Sequence, residues 1–208
     1  MARPLAIAFA AAIAAGLVWG GWMIFGPGAG DELAACRAQG GGTVGADIGG
    51  DFALTAADDG RRVTPETLID KPTLIYFGYT FCPDFCPLDG VNMAEAKRLL
   101  ADRGVAVNVV FVTIDPARDD AERLDAYTDN LHPEMIGLTG TESEIAEAAR
   151  AYRVYYARAD DDPEFYLMDH STFTYLMAPE VGFLDFFRHG TPPEDIADRV
   201  ACYIEALS

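Results

Sequence analysis

The sequence predicts an α/β domain, a buried sheet sandwiched by helices. Two apolar, β-branched runs, residues 73–79 (TLIYFGY) and 105–114 (VAVNVVFVTI), read as strands buried on both faces. Segments with helical spacing of apolar residues follow each run. The C-terminal quarter then supplies a hairpin pattern and a last helix, so strands and helices alternate along the chain. With 208 residues and 50% hydrophobic content, the chain holds enough apolar mass for one core.

The elements follow in order. Residues 5–25 (LAIAFAAAIAAGLVWGGWMIF) carry no charge and are long enough to span a bilayer as a helix. Arg3 and the free amine precede the stretch, and Asp31 and Glu32 follow it. The positive-inside rule then leaves the N-terminus in the cytoplasm and the domain outside, with Trp19 and Trp22 toward the outer interface. In a bacterium this is a single pass through the inner membrane with the C-terminal domain in the periplasm. A cleavable signal peptide would have a shorter apolar region with a small-x-small site close behind it. Leu33-Ala34-Ala35-Cys36 has the form of a lipoprotein cleavage box, but Asp31 and Glu32 separate it from the apolar stretch. The expected organisation is an anchor over residues 1–27, a Gly- and Ala-rich tether over 28–49 and a domain over 50–208.

Residues 52–55 and 61–63 flank Asp58-Asp59-Gly60, a hairpin signature. After the first buried strand, residues 88–102 read as a helix with Met93, Ala96, Leu99 and Leu100 on its apolar stripe. After the second, Asp119 and Asp120 are candidate caps for a helix running to Leu131. Residues 135–138 form a short strand, and Thr141 with Glu144 makes a capping box for a helix to Arg153. Residues 172–178 and 183–187 form a hairpin, and Pro192-Pro193 opens a helix over 194–207. Two early strands, two crossover units and a closing hairpin plus helix give a thioredoxin-like fold with an N-terminal β-hairpin extension. Asp160-Asp161-Asp162 reads as a solvated turn, because no calcium-loop spacing surrounds it.

The chemistry concentrates in Phe81-Cys82-Pro83-Asp84-Phe85-Cys86-Pro87, which joins the end of a buried strand to the start of a helix. Open α/β sheets place their sites at the carboxyl ends of strands. Unpaired N–H groups at a helix start favour the thiolate. Residues four apart share a helix face, so the two sulfurs are expected to converge on one ligand. The spacing is one residue longer than the C-x-x-C of ordinary thiol oxidoreductases, and it suits both redox chemistry and chelation of a soft metal. A purely structural disulfide is the bland alternative. Thiolates select Cu(I), Zn(II) or iron–sulfur clusters. Two cysteines alone do not complete a zinc site, so another ligand must come from elsewhere. Of three histidines, His132 precedes Pro133 at a helix end, where it can simply cap, and His189 stands beside Gly190 in an exposed-looking turn. His170, in Asp169-His170-Ser171, precedes a strand in a loop that a thioredoxin-like sheet puts beside the cysteine helix. Asp169 is the candidate partner for the other imidazole nitrogen.

These segments resemble the Sco (SenC/PrrC) family of copper-handling, thioredoxin-like factors for cytochrome c oxidase assembly. The resemblance runs from about Gly50 to the C-terminus. It rests on Tyr76-Phe77-Gly78-Tyr79-Thr80-Phe81 with the cysteine loop, on Val112-Thr113-Ile114-Asp115-Pro116-Ala117-Arg118-Asp119, on Leu138-Thr139-Gly140-Thr141 and on Tyr166-Leu167-Met168-Asp169-His170-Ser171. It implies copper, as Cu(I) and Cu(II) and one ion per chain, held by Cys82, Cys86 and His170. Gly90 departs from the family, which carries a larger apolar residue there. Cys36 and Cys202 lie outside the motifs. Cys202 also lies off the stripe formed by Ile196, Val200, Tyr203 and Leu207, and a free thiol outside the cytoplasm is prone to oxidation. A Cys36–Cys202 disulfide is the economical reading, with lipidation of Cys36 as the alternative.

The formal charge of −18, from 33 acidic and 15 basic residues, excludes nucleic acid as a partner. Two functions remain. One is a metallochaperone that delivers copper to the binuclear copper site of the oxidase, with the copper-bearing oxidase subunit, other periplasmic copper chaperones and thioredoxin-like reductants as partners. The other is a thiol–disulfide reductase, with Cys82 and Cys86 as redox-active residues acting on the oxidase subunit's cysteines.

Overall fold

A computed structural model of the chain describes residues 33, 35–37, 44–160, 162 and 165–208. The expected anchor at residues 1–27 and most of the expected tether fall outside them. Among the described residues no helix is long and apolar enough to cross a membrane. Cys36–Ser208 forms one compact unit by itself.

The elements are β1 (Leu54–Ala56), β2 (Arg62–Val63), α1 (Pro65–Leu68), β3 (Thr73–Gly78), α2 (Phe85–Asp102), β4 (Asn108–Thr113), α3 (Ala121–Leu131), β5 (Met135–Thr139), α4 (Glu142–Ala151), β6 (Tyr156–Arg158), β7 (Met168–His170), β8 (Phe173–Ala178), β9 (Gly182–Arg188) and α5 (Pro193–Ala206). Seven strands form one sheet in the order β2-β1-β5-β4-β3-β8-β9. β3, β4 and β5 are parallel neighbours, and β1, β8 and β9 add antiparallel edges. The β1–β2 hairpin turns at Gly60, whose φ of 73° favours a residue without a Cβ.

Every residue of β3 is buried, as a strand covered on both faces must be. Its side chains alternate between the two faces. Tyr76 lies over Phe111, which in turn meets Tyr127 of α3. Phe77 points the other way, toward Tyr152 at the end of α4 and Tyr175 of β8. Tyr76, Phe77, Phe111, Tyr152 and Tyr175 are buried, and each contributes on the order of 2–3 kcal/mol of burial. α2 packs on α5, and α3 packs on β5.

Most local expectations hold. Thr141 and Glu144 form the capping box of α4, with the Thr141 N–H donating to Glu144 Oε2 at 2.8 Å. Asp120 caps α3 by accepting the Arg123 N–H at 2.8 Å. Asp119 does not cap. It is fully buried and accepts from Thr80 Oγ1 at 2.6 Å and Thr113 Oγ1 at 2.7 Å, so it joins the ends of β3 and β4. Two further corrections bear on the site. α2 begins at Phe85, not at residue 88. His170 lies on a strand rather than in a loop, because β6 and β7 pair antiparallel with Tyr156 opposite His170. Three-residue strands are too short to leave a period in the sequence.

Gly90 is buried on α2, and a Cβ there would approach Leu131 Cδ1 of α3 to 2.7 Å, so a larger residue would require that side chain to shift. Glycine in a helix costs roughly 1 kcal/mol relative to alanine.

Cys36 is bonded to Cys202 on α5, with Cα atoms 5.6 Å apart and a separation of 166 positions in sequence. The bond ties the start of the compact unit to its last helix. Cys202→Ser is expected to lower the denaturant midpoint, with loop-closure entropy setting an upper figure of about 5 kcal/mol. Unfolding curves of the oxidised wild type and the variant, compared in urea, check this.

Candidate metal centre

Cys82 and Cys86 emerge from the carboxyl end of β3. Cys82 sits in a turn whose N–H donates to the Tyr79 carbonyl at 3.2 Å, and the helix starts only at Phe85. The sulfurs therefore do not converge as two residues on one helix face, as the spacing suggested. They converge because the turn folds back over the first turn of α2, where the Cys86 N–H points at Cys82 Sγ at 3.4 Å. Both cysteines are buried and unbonded to each other.

His170 reaches them from β7. Its Nε2 lies 3.4 Å from Cys86 Sγ, and its Nδ1 lies 3.0 Å from the Ser171 carbonyl oxygen. A carbonyl only accepts, so Nδ1 carries the proton and Nε2 turns its lone pair toward the sulfurs. The edges of Tyr76 and Tyr79 frame the ring, with centroids 6.1 and 5.9 Å away. One ligating atom from each of Cys82, Cys86 and His170 lies within 4.8 Å of the others.

Asp169 does not take the role expected of it. Neighbouring residues on a strand face opposite sides, so Asp169 is exposed while His170 turns inward. The Ser171 carbonyl holds Nδ1 instead. His132 caps α3, as expected: it is the C-cap residue, and its Nδ1 accepts the Glu134 N–H at 3.0 Å. His189 is half-buried rather than loose, with Nδ1 3.0 Å from a carboxylate oxygen of Asp89. Neither His132 nor His189 belongs to the cluster.

The thiols are unequal. The Cys86 thiol donates to Cys82, and with help from the backbone N–H groups of Cys86 and Asp84 this brings Cys82 down to about 3 despite burial. Burial, and then the neighbouring Cys82 sulfur, push Cys86 well above the usual thiol range. The two shifts run in opposite directions, so Cys82 ionises before Cys86.

Two polar networks hold the pieces in place. Asp119 fixes the cysteine turn by accepting the Thr80 N–H at 3.0 Å. Asp115 pairs with Arg118 and accepts the Tyr166 hydroxyl at 2.7 Å, and Arg118 donates to the Tyr166 carbonyl at 2.8 Å. The guanidiniums of Arg118 and Arg158 lie 3.4 and 3.7 Å from the Tyr166 ring centroid. Tyr79 Oη accepts the Met168 N–H at 3.2 Å. The strand that carries His170 is thus pinned to the ends of β3 and β4.

Gly78 makes room for the more deeply buried sulfur, a role its place in the motif does not by itself reveal. A Cβ on it would stand 2.8 Å from Cys86 Sγ and 2.9 Å from Phe111 Cζ. The signal was present, since an isolated glycine inside a buried strand marks a close approach.

A family model described as SCO1/SenC matches residues 41–205. The chain belongs to the SCO1/SenC family. It is 48% identical over 177 residues to Protein SenC of Rhodobacter capsulatus, covering 85% of this chain and 79% of that protein. It is 42% identical over 156 residues to the mitochondrial SCO1 homolog 1 of Arabidopsis thaliana, covering 74% of this chain and 46% of that protein. The chain therefore spans about half the length of the plant relative. The crystal structure of Arabidopsis thaliana ScoI with copper bound matches with a TM-score of 0.72 at 41% identity, over 76% of this chain and 98% of that chain. The thioredoxin-like α/β fold of this SCO1/SenC chain is thereby established.

Two outcomes follow from the geometry. Gly78→Ala is expected to displace Cys86 Sγ and to cost roughly 1–3 kcal/mol as overpacking. Thermal unfolding and the reactivity of Cys86 toward a thiol reagent measure the two effects. In the reduced wild type, alkylation of Cys82 is expected to vary little between about pH 5 and 8, whereas an ordinary thiol speeds up about tenfold per unit below its pKa of about 8.5. Mass-resolved rates for each cysteine check this, and a steep rise for Cys82 would contradict the assigned thiolate.

Proposed function

We propose that this SCO1/SenC protein is a membrane-anchored copper carrier. Cys82, Cys86 and His170 hold one copper ion, and the protein passes it to the binuclear copper site of cytochrome c oxidase. The observation that carries the reading is the convergence of two sulfurs and one imidazole Nε2 within 4.8 Å. Two soft sulfurs with a borderline nitrogen suit Cu(I), and the same set accepts Cu(II). The solved Arabidopsis relative with copper bound supports copper over zinc or iron.

Copper is cargo here, so exchange of ligands is the chemistry. Cys82 is already a thiolate, His170 is held in the tautomer that offers Nε2, and only Cys86 must lose a proton as the ion enters. An incoming thiolate of the recipient can displace the ligands one at a time. The uncharged stretch over residues 5–25, with Arg3 before it, supports anchoring in the bacterial inner membrane. On this reading residues 1–27 anchor the chain, residues 28–49 tether it, and residues 50–208 work in the periplasm. The copper-bearing oxidase subunit is the proposed recipient.

A second reading is reduction of the oxidase subunit's cysteines. The depressed Cys82 thiol beside an unbonded Cys86 favours it. His170 separates the two, because exchange between a dithiol and a disulfide does not need its lone pair.

The reduced chain is expected to bind about one copper ion, and oxidation of Cys82 and Cys86 to a disulfide is expected to abolish binding. Equilibrium dialysis in both redox states tests this, and equal binding in both places the site elsewhere. His170→Ala is expected to lower copper affinity on the order of 10- to 100-fold or more while thiol–disulfide exchange persists. Cells carrying this variant should then fail to restore copper-loaded oxidase at limiting copper. Normal oxidase assembly with His170→Ala, together with its loss in Cys82→Ser, would favour the reductase.

A further inference from the structure

A buried phenol faces the more deeply buried of the two sulfurs. Tyr76 on β3 is fully buried, and its hydroxyl points at Cys86 Sγ across 3.9 Å. It has a second acceptor within reach, the Asp89 carboxylate on α2, one turn beyond Cys86. A phenol has one proton to donate, so sulfur and carboxylate compete for it.

The competition is weighted from a distant part of the chain. Asp89 is 4% exposed and receives the Gly190 N–H at 2.9 Å. His189 Nδ1 lies 3.0 and 3.1 Å from the two carboxylate oxygens. A carboxylate only accepts, so Nδ1 carries a proton and donates it to Asp89. Phe85 meets the His189 ring edge-on at 4.7 Å and holds it there. Each donor from the turn after β9 lowers the demand of Asp89 for the Tyr76 proton and leaves that proton for sulfur.

We infer that Tyr76 is a positioning residue that donates its hydrogen bond to the Cys86 thiolate, and that the His189–Asp89 pair keeps the phenol aimed at sulfur. The inference rests on the copper reading above. A hydrogen bond to a ligating sulfur draws electron density from it. That favours the reduced ion over the oxidised one and raises the energy of sulfur-to-Cu(II) charge transfer. A residue that never touches the ion thereby sets its Cu(II)/Cu(I) preference.

The test compares the full-length chain with Tyr76→Phe, His189→Phe and the double variant, each loaded with Cu(II). The absorption band and the Cu(II)/Cu(I) potential are the readouts. A wild type with no thiolate-to-copper band would sink the copper reading itself. Given the band, Tyr76→Phe keeps the ring and is expected to retain one ion per chain, move the band to longer wavelength and lower the potential. His189→Phe keeps the edge-on contact with Phe85 and removes the donor. It is expected to move both readouts in the same direction by less, and to add nothing once Tyr76 is already Phe. Packing alone would change stability but would leave the effect of His189→Phe the same with or without the phenol. The inference is overturned if Tyr76→Phe leaves the band and potential unmoved. It is equally overturned if the full His189→Phe shift persists in the double variant. Should Tyr76→Phe fail to fold, His189→Phe is compared with His189→Gln, which keeps a donor: a shift in both readouts with Phe and not with Gln supports the inference, and no shift with Phe, or equal shifts with both, overturns it.

Discussion

Cys86 Sγ occupies the volume that a side chain on Gly78 would fill, and the rest of the centre is arranged around that packing constraint. The strand beneath is buried on both faces, so it offers no room to retreat. Tyr76 and Phe111 close in on the same space from β3 and β4. A sulfur seated against backbone in this way has few positions available to it. The imidazole that meets it must be placed with similar tolerance.

That placement is achieved by polar contacts rather than by apolar packing. His170 lies on a three-residue strand in a two-stranded ribbon, which has little stability of its own. Asp115, Arg118 and Tyr166 tie the approach to this ribbon to the end of β4, while Asp119 does the same for the cysteine turn. Buried carboxylates are costly unless their partners are complete, so these two aspartates hold a defined geometry or none. The charge pattern at the thiols has the same origin. Backbone N–H groups and a neighbouring thiol converge on Cys82, while Cys86 faces a phenol and the packed core.

Apolar runs and caps are local, and they were legible in the chain. β3 and β4 announce themselves by composition, and the Thr141–Glu144 box by spacing. The cysteine loop and the Asp169-His170-Ser171 segment could be named as a site because their residue types are chemically distinctive. The expectations that failed depended on contacts made at a distance. Asp119 and Asp120 are equivalent caps on paper, but Thr80 and Thr113 claim the first from two other segments. Asp169 stood next to the ligand in sequence, yet strand alternation turns it away and leaves the Ser171 carbonyl in its place.

The sequence by itself determined the α/β class, the order of the main elements, the family and the identity of two sulfurs and one imidazole, because each is carried by composition, period or a short motif. Only the tertiary structure decided how these atoms meet: that the sulfurs converge through a turn rather than along a helix, that the carbonyl of Ser171 fixes the tautomer, and that Asp89 finds His189 across 100 residues of chain. The physical reason is that hydrogen bonds and van der Waals exclusion act over a few ångströms in space, with no fixed relation to separation along the chain.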